Sequence, residues 1–202
     1  MIVACLDLEG VLIPEIWINF ADKTGIKELR LTTRDIPDYD VLMKKRLGIL
    51  KEHNLKLKDI QDVIATLSPL DGAADFLNWL RSEMQVVILS DTFSEFAKPF
   101  MKQLVWPTLF CHSLEVNSSG DVVNYKLRMK DQKRAAVEAF RSINLSTIAA
   151  GDSYNDTSML GAADAGILFC PPDNVIKEFP QFPVALDYQE LRRLIETSRT
   201  KI

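Results

Sequence analysis

Two acidic clusters in this sequence each follow a short apolar run. Asp7 and Glu9 come directly after the apolar run Ile2–Leu6. Far along the chain, Asp152 follows a second apolar run, and Asp156 comes one turn later. Acids two residues apart project to the same side of an extended chain, so Asp7 and Glu9 could act on one substrate.

The two clusters together predict a metal site. Carboxylates at the exits of neighbouring parallel strands converge even when they are distant in the sequence. Asp7, Asp152 and Asp156 would then offer hard oxygen ligands to Mg²⁺, which prefers one or two carboxylates, water and a substrate phosphate. Either cluster alone could be an acidic turn or a helix cap, but the presence of both clusters favours a metal site over that explanation.

Two further segments could bind a phosphate. Ser90 and Asp91 follow an apolar run and precede a predicted helix, and a hydroxyl and backbone amides at such a place suit an anion, although they could also simply cap the helix. Lys130 or Lys133, near the start of another predicted helix, could neutralise phosphate charge. A lone lysine is normally solvated, and the spacing does not choose between the two.

Short apolar runs alternate with amphipathic segments over most of the chain, which predicts an α/β fold. We expect a Rossmann-like, doubly wound and mostly parallel sheet. The predicted strands are Ile2–Leu6, Val86–Leu89, Thr147–Ala150, Ala165–Phe169 and Val184–Leu186. The predicted helices are Asp71–Glu83, Phe93–Leu104, Gln132–Ile143, Asn155–Ala162 and Tyr188–Ser198.

Two segments interrupt this alternation. Residues 15–69 show helical periodicity and no strand pattern, with predicted helices at Glu15–Lys23, Tyr39–His53 and Leu57–Leu67. We therefore predict that residues 15–69 form a helical cap inserted into a core of residues 1–14 and 70–202. Leu109–Leu127 holds two β-rich runs around a turn and predicts a β-hairpin. The proline-rich segment Pro171–Pro183 is expected to be an irregular surface connection.

Composition excludes several classes of protein. The 202 residues are 47% hydrophobic, enough for one core with an insertion, and the net charge of −4 argues against nucleic acid as a partner. Cys5, Cys111 and Cys170 are odd in number and widely spaced, as expected for free thiols in a reducing compartment. His53 and His112 have no partners at zinc spacing, so both are expected to be structural or exposed. No stretch has the length of a membrane span, and we expect a cytoplasmic protein without a membrane partner.

Four motifs occur in an order that resembles the haloacid dehalogenase superfamily of phosphotransferases. They are Asp7-Leu-Glu-Gly, the strand-end Ser90, the helix-borne Lys133 and the segment from Gly151-Asp152 to Asp156. Within the superfamily the chain most resembles phosphoserine phosphatases that also transfer the phosphoryl group to homoserine. That likeness rests on Asp-Leu-Glu-Gly-Val-Leu, on residues 33–40 (Thr-Arg-Asp-Ile-Pro-Asp-Tyr-Asp) and on residues 149–156 (Ala-Ala-Gly-Asp-Ser-Tyr-Asn-Asp).

The resemblance implies Mg²⁺-dependent phosphoryl transfer through an aspartyl-phosphate on Asp7. Glu9 would act as the general acid and base, and Mg²⁺ would be held by Asp7, the backbone carbonyl of Glu9 and Asp152. Asp156 would orient these groups rather than bind the metal directly.

The resemblance also implies a substrate site. Ser90 and Lys133 would surround the phosphate, and Arg46 and Glu15 would bind the α-carboxylate and α-ammonium groups of phosphoserine. Asn155 and the Ser90-Asp91 segment would contact the substrate from the core. The charge pattern alone would instead place Lys44-Lys45-Arg46 on the solvent-exposed face of a helix.

One departure from the superfamily pattern concerns the acid/base position. The usual second aspartate is Glu9 here, and the usual threonine that follows is Val11. The glutamate is a feature of the branch that the chain resembles, and it moves the carboxyl outward by one methylene.

The resemblance leaves the phosphoryl acceptor open. Attack by water would make the protein a phosphatase, and attack by homoserine a transferase. The alternative is a phosphatase of the same superfamily for a different small phosphomonoester. The expected partners are the small molecules O-phosphoserine and homoserine, with a second copy of the chain as a candidate partner in a homodimer. A catalytically silent binding module would not be expected to retain both Asp7 and Asp152.

Overall fold

The computed structural model describes residues 1–33, 35–36 and 38–202. Arg34 and Pro37, which belong to the predicted cap motif at 33–40, lie outside the described residues. Within the described part, seven strands form one sheet. The strands are β1 (Ile2–Leu6), β2 (Gln85–Phe93), β3 (Thr108–Val116), β4 (Val122–Lys126), β5 (Ser146–Gly151), β6 (Ala165–Phe169) and β7 (Val184–Ala185).

The sheet has the order β4-β3-β2-β1-β5-β6-β7, and every neighbouring pair is parallel except the antiparallel pair β3–β4. Alternate residues of β1 are buried on opposite faces, with Ala4 and Leu6 in one apolar cluster and Val3 and Cys5 in another. Helices cover both faces, because a parallel sheet with two apolar faces must bury both. The predicted α/β fold is confirmed.

The central register aligns the strand ends that carry the chemistry. Leu6 lies beside both Ile88 of β2 and Ala150 of β5. The amide of Asp7 continues this ladder by donating to the carbonyl of Ala150 at 2.9 Å. The acidic clusters that follow β1 and β5 are therefore brought to the same edge of the sheet.

The predicted hairpin forms from β3 and β4. Its turn is closed by the side chain of Asn117, whose Oδ1 accepts from the amides of Ser119 and Asp121 at 2.9 Å each. Such an Asx turn reproduces with a side chain the hydrogen bonds of a backbone turn.

The helices agree with most of the predicted segments. They are α1 (Ile16–Thr24), α2 (Tyr39–Glu52), α3 (Leu57–Ile64), α4 (Ala73–Glu83), α5 (Ser94–Gln103), α6 (Gln132–Ser142), α7 (Thr157–Ala162), α8 (Asp173–Glu178) and α9 (Tyr188–Arg199). A 3₁₀ turn at Tyr154–Asp156 precedes α7, so the α-helix begins later than predicted. Likewise β2 continues to Phe93, beyond its predicted end at Leu89.

The prediction that Pro171–Pro183 is an irregular surface connection was wrong for part of this segment. Helix α8 lies inside this segment, with Pro172 at its N-cap and Val175 fully buried. Proline is compatible with a helix start because the first amides have no intrahelical acceptor. These prolines therefore flank a short helix.

The insertion between β1 and α4 carries α1, a 3₁₀ turn at Lys27–Arg30, α2 and α3. Its buried side chains, including Phe20, Met43 and Ile60, join the same apolar cluster as Phe96 and Phe100 of α5. The insertion is thus packed onto the core, close to the edge of the sheet where the acidic clusters after β1 and β5 lie. The division into core and cap stays a prediction. Among the described residues, no helix combines the length and apolarity needed to cross a membrane.

Candidate active site

Three carboxylates converge beyond the ends of β1 and β5. Asp7, Asp152 and Asp156 each offer one oxygen, and these atoms lie within 4.8 Å of one another. Gly10 makes this approach possible: its φ is +78°, and a Cβ there would lie 2.5 Å from Asp152 Oδ2. Only glycine fits a left-handed conformation at so short a distance.

Lys133 is the cation at the centre of this cluster. It lies in the first turn of α6, is almost completely buried, and places Nζ 2.8 Å from Asp7 Oδ1 and 2.7 Å from Asp156 Oδ1. Although burial opposes its charge, Asp156 and Asp7 raise the pKa of Lys133 well above its ordinary value. Lys130 is exposed, so the structure distinguishes the two lysines that the sequence left open.

Asp156 is fully buried, and both of its oxygens have donors. Oδ2 accepts from the amides of Asp152 and Ser153 at 2.9 and 3.0 Å, and Oδ1 accepts from Lys133. These bonds fix the loop that carries Asp152. The arrangement fits the predicted orienting role of Asp156, which stays a prediction.

The charge balance around Asp7 is unfavourable in the protein alone. Burial, together with the negative charges of Asp156 and Asp152, raises the pKa of Asp7 well above its ordinary value, despite the opposing ammonium of Lys133. One ammonium for three clustered carboxylates leaves excess negative charge, which a divalent cation would compensate. Since the donors are all oxygens and Asp156 already has four donors, Asp7 and Asp152 are the side chains suited to hold Mg²⁺.

Glu9 projects toward the insertion. Its carboxylate accepts from the amide of Ile16, the first residue of α1, at 2.9 Å. Burial raises the pKa of Glu9, while the hydrogen bonds from Ile16 and from Thr92 oppose that rise. A carboxyl whose protonated form is favoured by burial is suited to donate and recover a proton.

Ser90 and Asp91 lie where β2 departs from regular pairing. The register of β2 with β3 shifts between Leu89 and Phe93, so the segment between them leaves the regular ladder. Ser90 Oγ accepts from the amide of Thr92 at 3.2 Å. Although burial opposes its ionisation, the ammonium of Lys133 and hydrogen bonds from His112 and Gln132 hold the pKa of Asp91 well below its ordinary value.

A cavity of about 150 Å³ lies between the sheet edge and the insertion. Of the predicted site residues, only Asp156 is absent from its lining, because that side chain is fully buried. The predicted residues that line the cavity are Asp7, Glu9, Glu15, Arg46, Ser90, Asp91, Lys133, Asp152 and Asn155. The structure thus brings these residues together, whereas their individual roles stay predictions.

Arg46 is buried in the wall of this cavity opposite the core. Its guanidinium stacks 4.5 Å above the ring of Trp17, and Nη2 donates to the carbonyl of Leu31 at 2.9 Å. Within the described part of the chain, its buried Nε has no hydrogen-bond acceptor. Burial lowers the pKa of Arg46 to about 10, so the side chain still carries its charge near neutral pH. The charge pattern alone predicted a solvent-exposed position for Arg46, and this prediction is therefore wrong.

Sequence reasoning missed the aromatic part of the cavity wall, which includes Trp17 and Tyr39. The Tyr39 hydroxyl donates to the carbonyl of Asp91 at 3.3 Å and so connects the insertion with the core. The sequence spacing could have indicated that Tyr39 lines the cavity, since Tyr39 and Arg46 are two helical turns apart and share one face of α2.

Comparisons with known proteins agree with this architecture. A family model described as haloacid dehalogenase-like hydrolase matches residues 3–164. The chain is 66% identical over 193 residues to phosphoserine phosphatase ThrH of Pseudomonas aeruginosa, covering 96% of this chain and 94% of that protein. It is also 66% identical over 191 residues to a phosphoserine phosphatase of Pseudomonas syringae pv. tomato, covering 95% and 81% of the two chains.

A similar fold occurs among solved structures. The structure of a phosphoserine phosphatase in its apo form matches with a TM-score of 0.77 at 21% identity, over 96% of this chain and 97% of that one. The family model spans most of the chain, and two relatives are 66% identical to it over the aligned residues. The chain therefore belongs to the haloacid dehalogenase-like hydrolases.

Proposed function

We propose that this protein is a Mg²⁺-dependent phosphoserine phosphatase that works through an aspartyl-phosphate on Asp7 and also transfers the phosphoryl group to homoserine. The observation that carries the proposal is the position of Arg46 in the wall of the cavity that also contains Asp7. Its buried guanidinium has an Nε without an acceptor among the residues that the structure describes. Two relatives at 66% identity bear the name phosphoserine phosphatase, which supports the choice of substrate.

Asp7 is the nucleophile in this mechanism. Its carboxylate oxygen forms a bond to phosphorus while the bond from phosphorus to the serine oxygen breaks. Lys133, 2.8 Å from Asp7 Oδ1, and Ser90 line the same cavity and would contact the phosphoryl oxygens. Asp7, the backbone carbonyl of Glu9 and Asp152 would hold Mg²⁺, which when bound supplies further positive charge against the phosphoryl group.

Glu9 provides the proton for the leaving serine oxygen. Burial favours its protonated form, and the bond to the amide of Ile16 holds the carboxyl in place. After serine leaves, the carboxylate takes the proton from the group that attacks the aspartyl-phosphate. The same residue thereby serves both halves of the reaction.

The amino-acid end of the substrate lies against the insertion. The guanidinium of Arg46 can bind a carboxylate with two parallel hydrogen bonds, which fixes orientation as well as adding affinity. Glu15 lines the same wall and offers a negative charge to the α-ammonium group. Asn155 and Asp91 approach from the core side.

The acceptor determines whether the reaction is hydrolysis or transfer. Homoserine carries the same ammonium and carboxylate groups as serine, so the contacts that hold serine also suit homoserine. Once serine has left, the homoserine hydroxyl can occupy the position opposite Asp7, where Glu9 can remove its proton. Exclusion of water by the insertion would then favour transfer.

The decisive experiment measures phosphate release from O-phosphoserine with and without Mg²⁺ and homoserine. We expect Mg²⁺-dependent release and, when homoserine is present, formation of O-phosphohomoserine. Release without any O-phosphohomoserine would remove the transferase part. Turnover of other small phosphomonoesters but not of phosphoserine would favour the alternative substrate, and Arg46→Ala would then leave that activity largely intact.

A further inference from the structure

His112 is a buried histidine whose tautomer is fixed by its surroundings. It lies in β3, is 5% exposed, and accepts a hydrogen bond at Nδ1 from the amide of Arg128 at 3.0 Å. A nitrogen that accepts a hydrogen bond carries no proton, so the ring is neutral and its proton is on Nε2.

The Nε2 atom of His112 lies between Asp91 and Gln132. Nε2 lies 3.5 Å from Asp91 Oδ1 and 3.4 Å from the amide nitrogen of Gln132. Gln132 does not accept this proton, because its Oε1 accepts from Arg128 Nε at 2.9 Å and so turns its NH₂ group inward. That NH₂ group uses its two hydrogens on the carbonyl of Ser90 at 2.5 Å and on Asp91 Oδ1 at 3.1 Å. The acceptor that remains for His112 is Asp91.

The two carboxylate oxygens of Asp91 therefore have different neighbours. Oδ1 accepts from Gln132 at 3.1 Å and has the Nε2 of the neutral His112 ring 3.5 Å away, on the side remote from Lys133. Oδ2 lies 3.7 Å from Lys133 Nζ, on the side that lines the catalytic cavity. Neutral donors fix the carboxylate without cancelling its charge, which stays available to Lys133.

We propose that His112 is a positioning residue for phosphoryl transfer, acting through Asp91 to hold the ammonium of Lys133 against Asp7. The inference rests on the proposed function, and it adds a residue that contacts neither the substrate nor the metal. Asp91 supplies the third carboxylate around Lys133, after Asp7 and Asp156. Without His112, Asp91 Oδ1 keeps only the donor from Gln132, so the carboxylate is held less firmly toward Lys133 and the ammonium is less well aligned with the phosphoryl group.

Simple packing of the ring is the competing explanation. The His112 ring lies 6.4 Å from the ring of Phe93, so its removal would also disturb the core. A packing role and a positioning role differ in their coupling to Asp91. Loss of packing lowers stability whichever side chain is at position 91, whereas a hydrogen bond to Asp91 has no effect once that carboxylate is gone.

The test is a double-mutant cycle with His112→Leu, Asp91→Ala and the combined variant, in which kcat and KM for O-phosphoserine are measured at saturating Mg²⁺. We expect His112→Leu to lower kcat about tenfold with a smaller change in KM, and to lower it less than about twofold further in the Asp91→Ala background. An equal loss of kcat in both backgrounds would overturn the proposal. His53→Leu, at an exposed histidine that ends α2, is the matched control and should behave as the wild type.

Two polar variants keep the test valid if His112→Leu does not fold. Glutamine places an N–H donor near the position of Nε2, whereas the shorter asparagine places its amide near Nδ1 and cannot reach Asp91. We expect His112→Gln to retain kcat within about threefold and His112→Asn to lose about tenfold. Equal kcat values for the two variants would contradict the positioning role.

The imidazole ¹⁵N spectrum of the wild-type protein tests the hydrogen bond without any substrate. We expect a protonated Nε2 and an unprotonated Nδ1, with the Nε2 signal shifted in Asp91→Ala. A protonated Nδ1 would overturn the inference. Absence of phosphoserine turnover alongside the expected spectrum would refute the proposed function while supporting the contact between His112 and Asp91.

Discussion

Lys133 and Asp156 form a buried ion pair directly behind the nucleophile, with 2.7 Å between Nζ and Oδ1. Asp156 has no exposed surface, and its second oxygen holds the amides of Asp152 and Ser153. One side chain thus fixes both the ammonium that faces Asp7 and the loop that carries Asp152. The stability of the loop and the geometry of the site are therefore linked through Asp156.

Asp156→Asn should lower the free energy of unfolding by about 1–3 kcal/mol, because a buried donor loses its acceptor while Asp7 and Asp91 still face Lys133. The NH₂ group of the new asparagine must face either Lys133 or the amides of Asp152 and Ser153, which are donors themselves and so cannot accept from it. Urea unfolding measures the change. Glu196→Gln, which breaks an exposed pair with Arg192 on α9, is the control and should cost at most about 0.5 kcal/mol. Similar losses in the two variants would contradict the importance assigned to burial.

Asp7→Asn should reduce phosphoserine turnover at least about 10³-fold, because an amide cannot form the aspartyl-phosphate. The side-chain oxygen can still accept from the amide of Leu8 and from Lys133, so the variant should fold. Incorporation of ³²P into the protein during turnover is the complementary measurement. Labelled wild-type protein and unlabelled Asp7→Asn are expected, and label in the variant would exclude Asp7 as the nucleophile.

The same variant should show a pH-dependent gain in stability when Mg²⁺ is removed with EDTA. Because the folded state raises the pKa of Asp7, ionising this carboxyl destabilises the fold as the pH rises above the ordinary aspartate value of about 4. An asparagine side chain does not ionise, so the advantage of the variant in unfolding free energy should grow from acid toward neutral pH. A constant difference between the two proteins across that range would contradict the raised pKa.

The sequence predicted the sheet and the meeting of Asp7 with Asp152 because both depend on local patterns. Apolar runs define the strands, and parallel pairing then places their exits at one edge. The burial of Arg46 could not be predicted in this way, since it depends on how α2 packs over Trp17. Nor could the sequence place His112 beside Asp91, because that contact joins β3 to β2 through a shift in their register.

Gly10→Ala should weaken Mg²⁺ binding, because the added Cβ would lie 2.5 Å from Asp152 Oδ2 and displace that carboxylate. Gly25→Ala is the matched control, since Gly25 has a similar φ of +73° but no atom within 4 Å of its Cβ position. Both variants should lose about 1–2 kcal/mol of stability from the left-handed conformation. Only Gly10→Ala should raise the Mg²⁺ concentration for half-maximal activity, by about tenfold or more. Equal Mg²⁺ requirements would show that Asp152 does not hold the metal.

Arg46→Lys should raise KM for phosphoserine by about 10–100-fold, because lysine keeps the charge but loses the planar fork that pairs with a carboxylate. Hydrolysis of p-nitrophenyl phosphate, which has no carboxylate, should change little. Lys45→Ala, at the exposed neighbour on the same helix, is the control for general effects on the insertion. A parallel loss with both substrates would point to a disturbed insertion instead of a lost substrate contact.

Glu9→Asp should change the choice between water and homoserine as acceptors. Shortening the side chain by one methylene withdraws the carboxyl from the amide of Ile16, 2.9 Å away in the present structure, and leaves space that a water molecule can fill. A water molecule held between the carboxyl and the aspartyl-phosphate is itself a competent nucleophile, so hydrolysis should gain over transfer. We expect the ratio of O-phosphohomoserine to free phosphate, measured at fixed homoserine by ³¹P NMR, to fall at least about threefold. Glu28→Asp, an exposed position in the insertion, should leave the ratio unchanged. If Glu9→Asp lowers both rates equally and the product ratio stays constant, the length of this acid does not select the acceptor, and closure of the insertion over the cavity becomes the determinant to test.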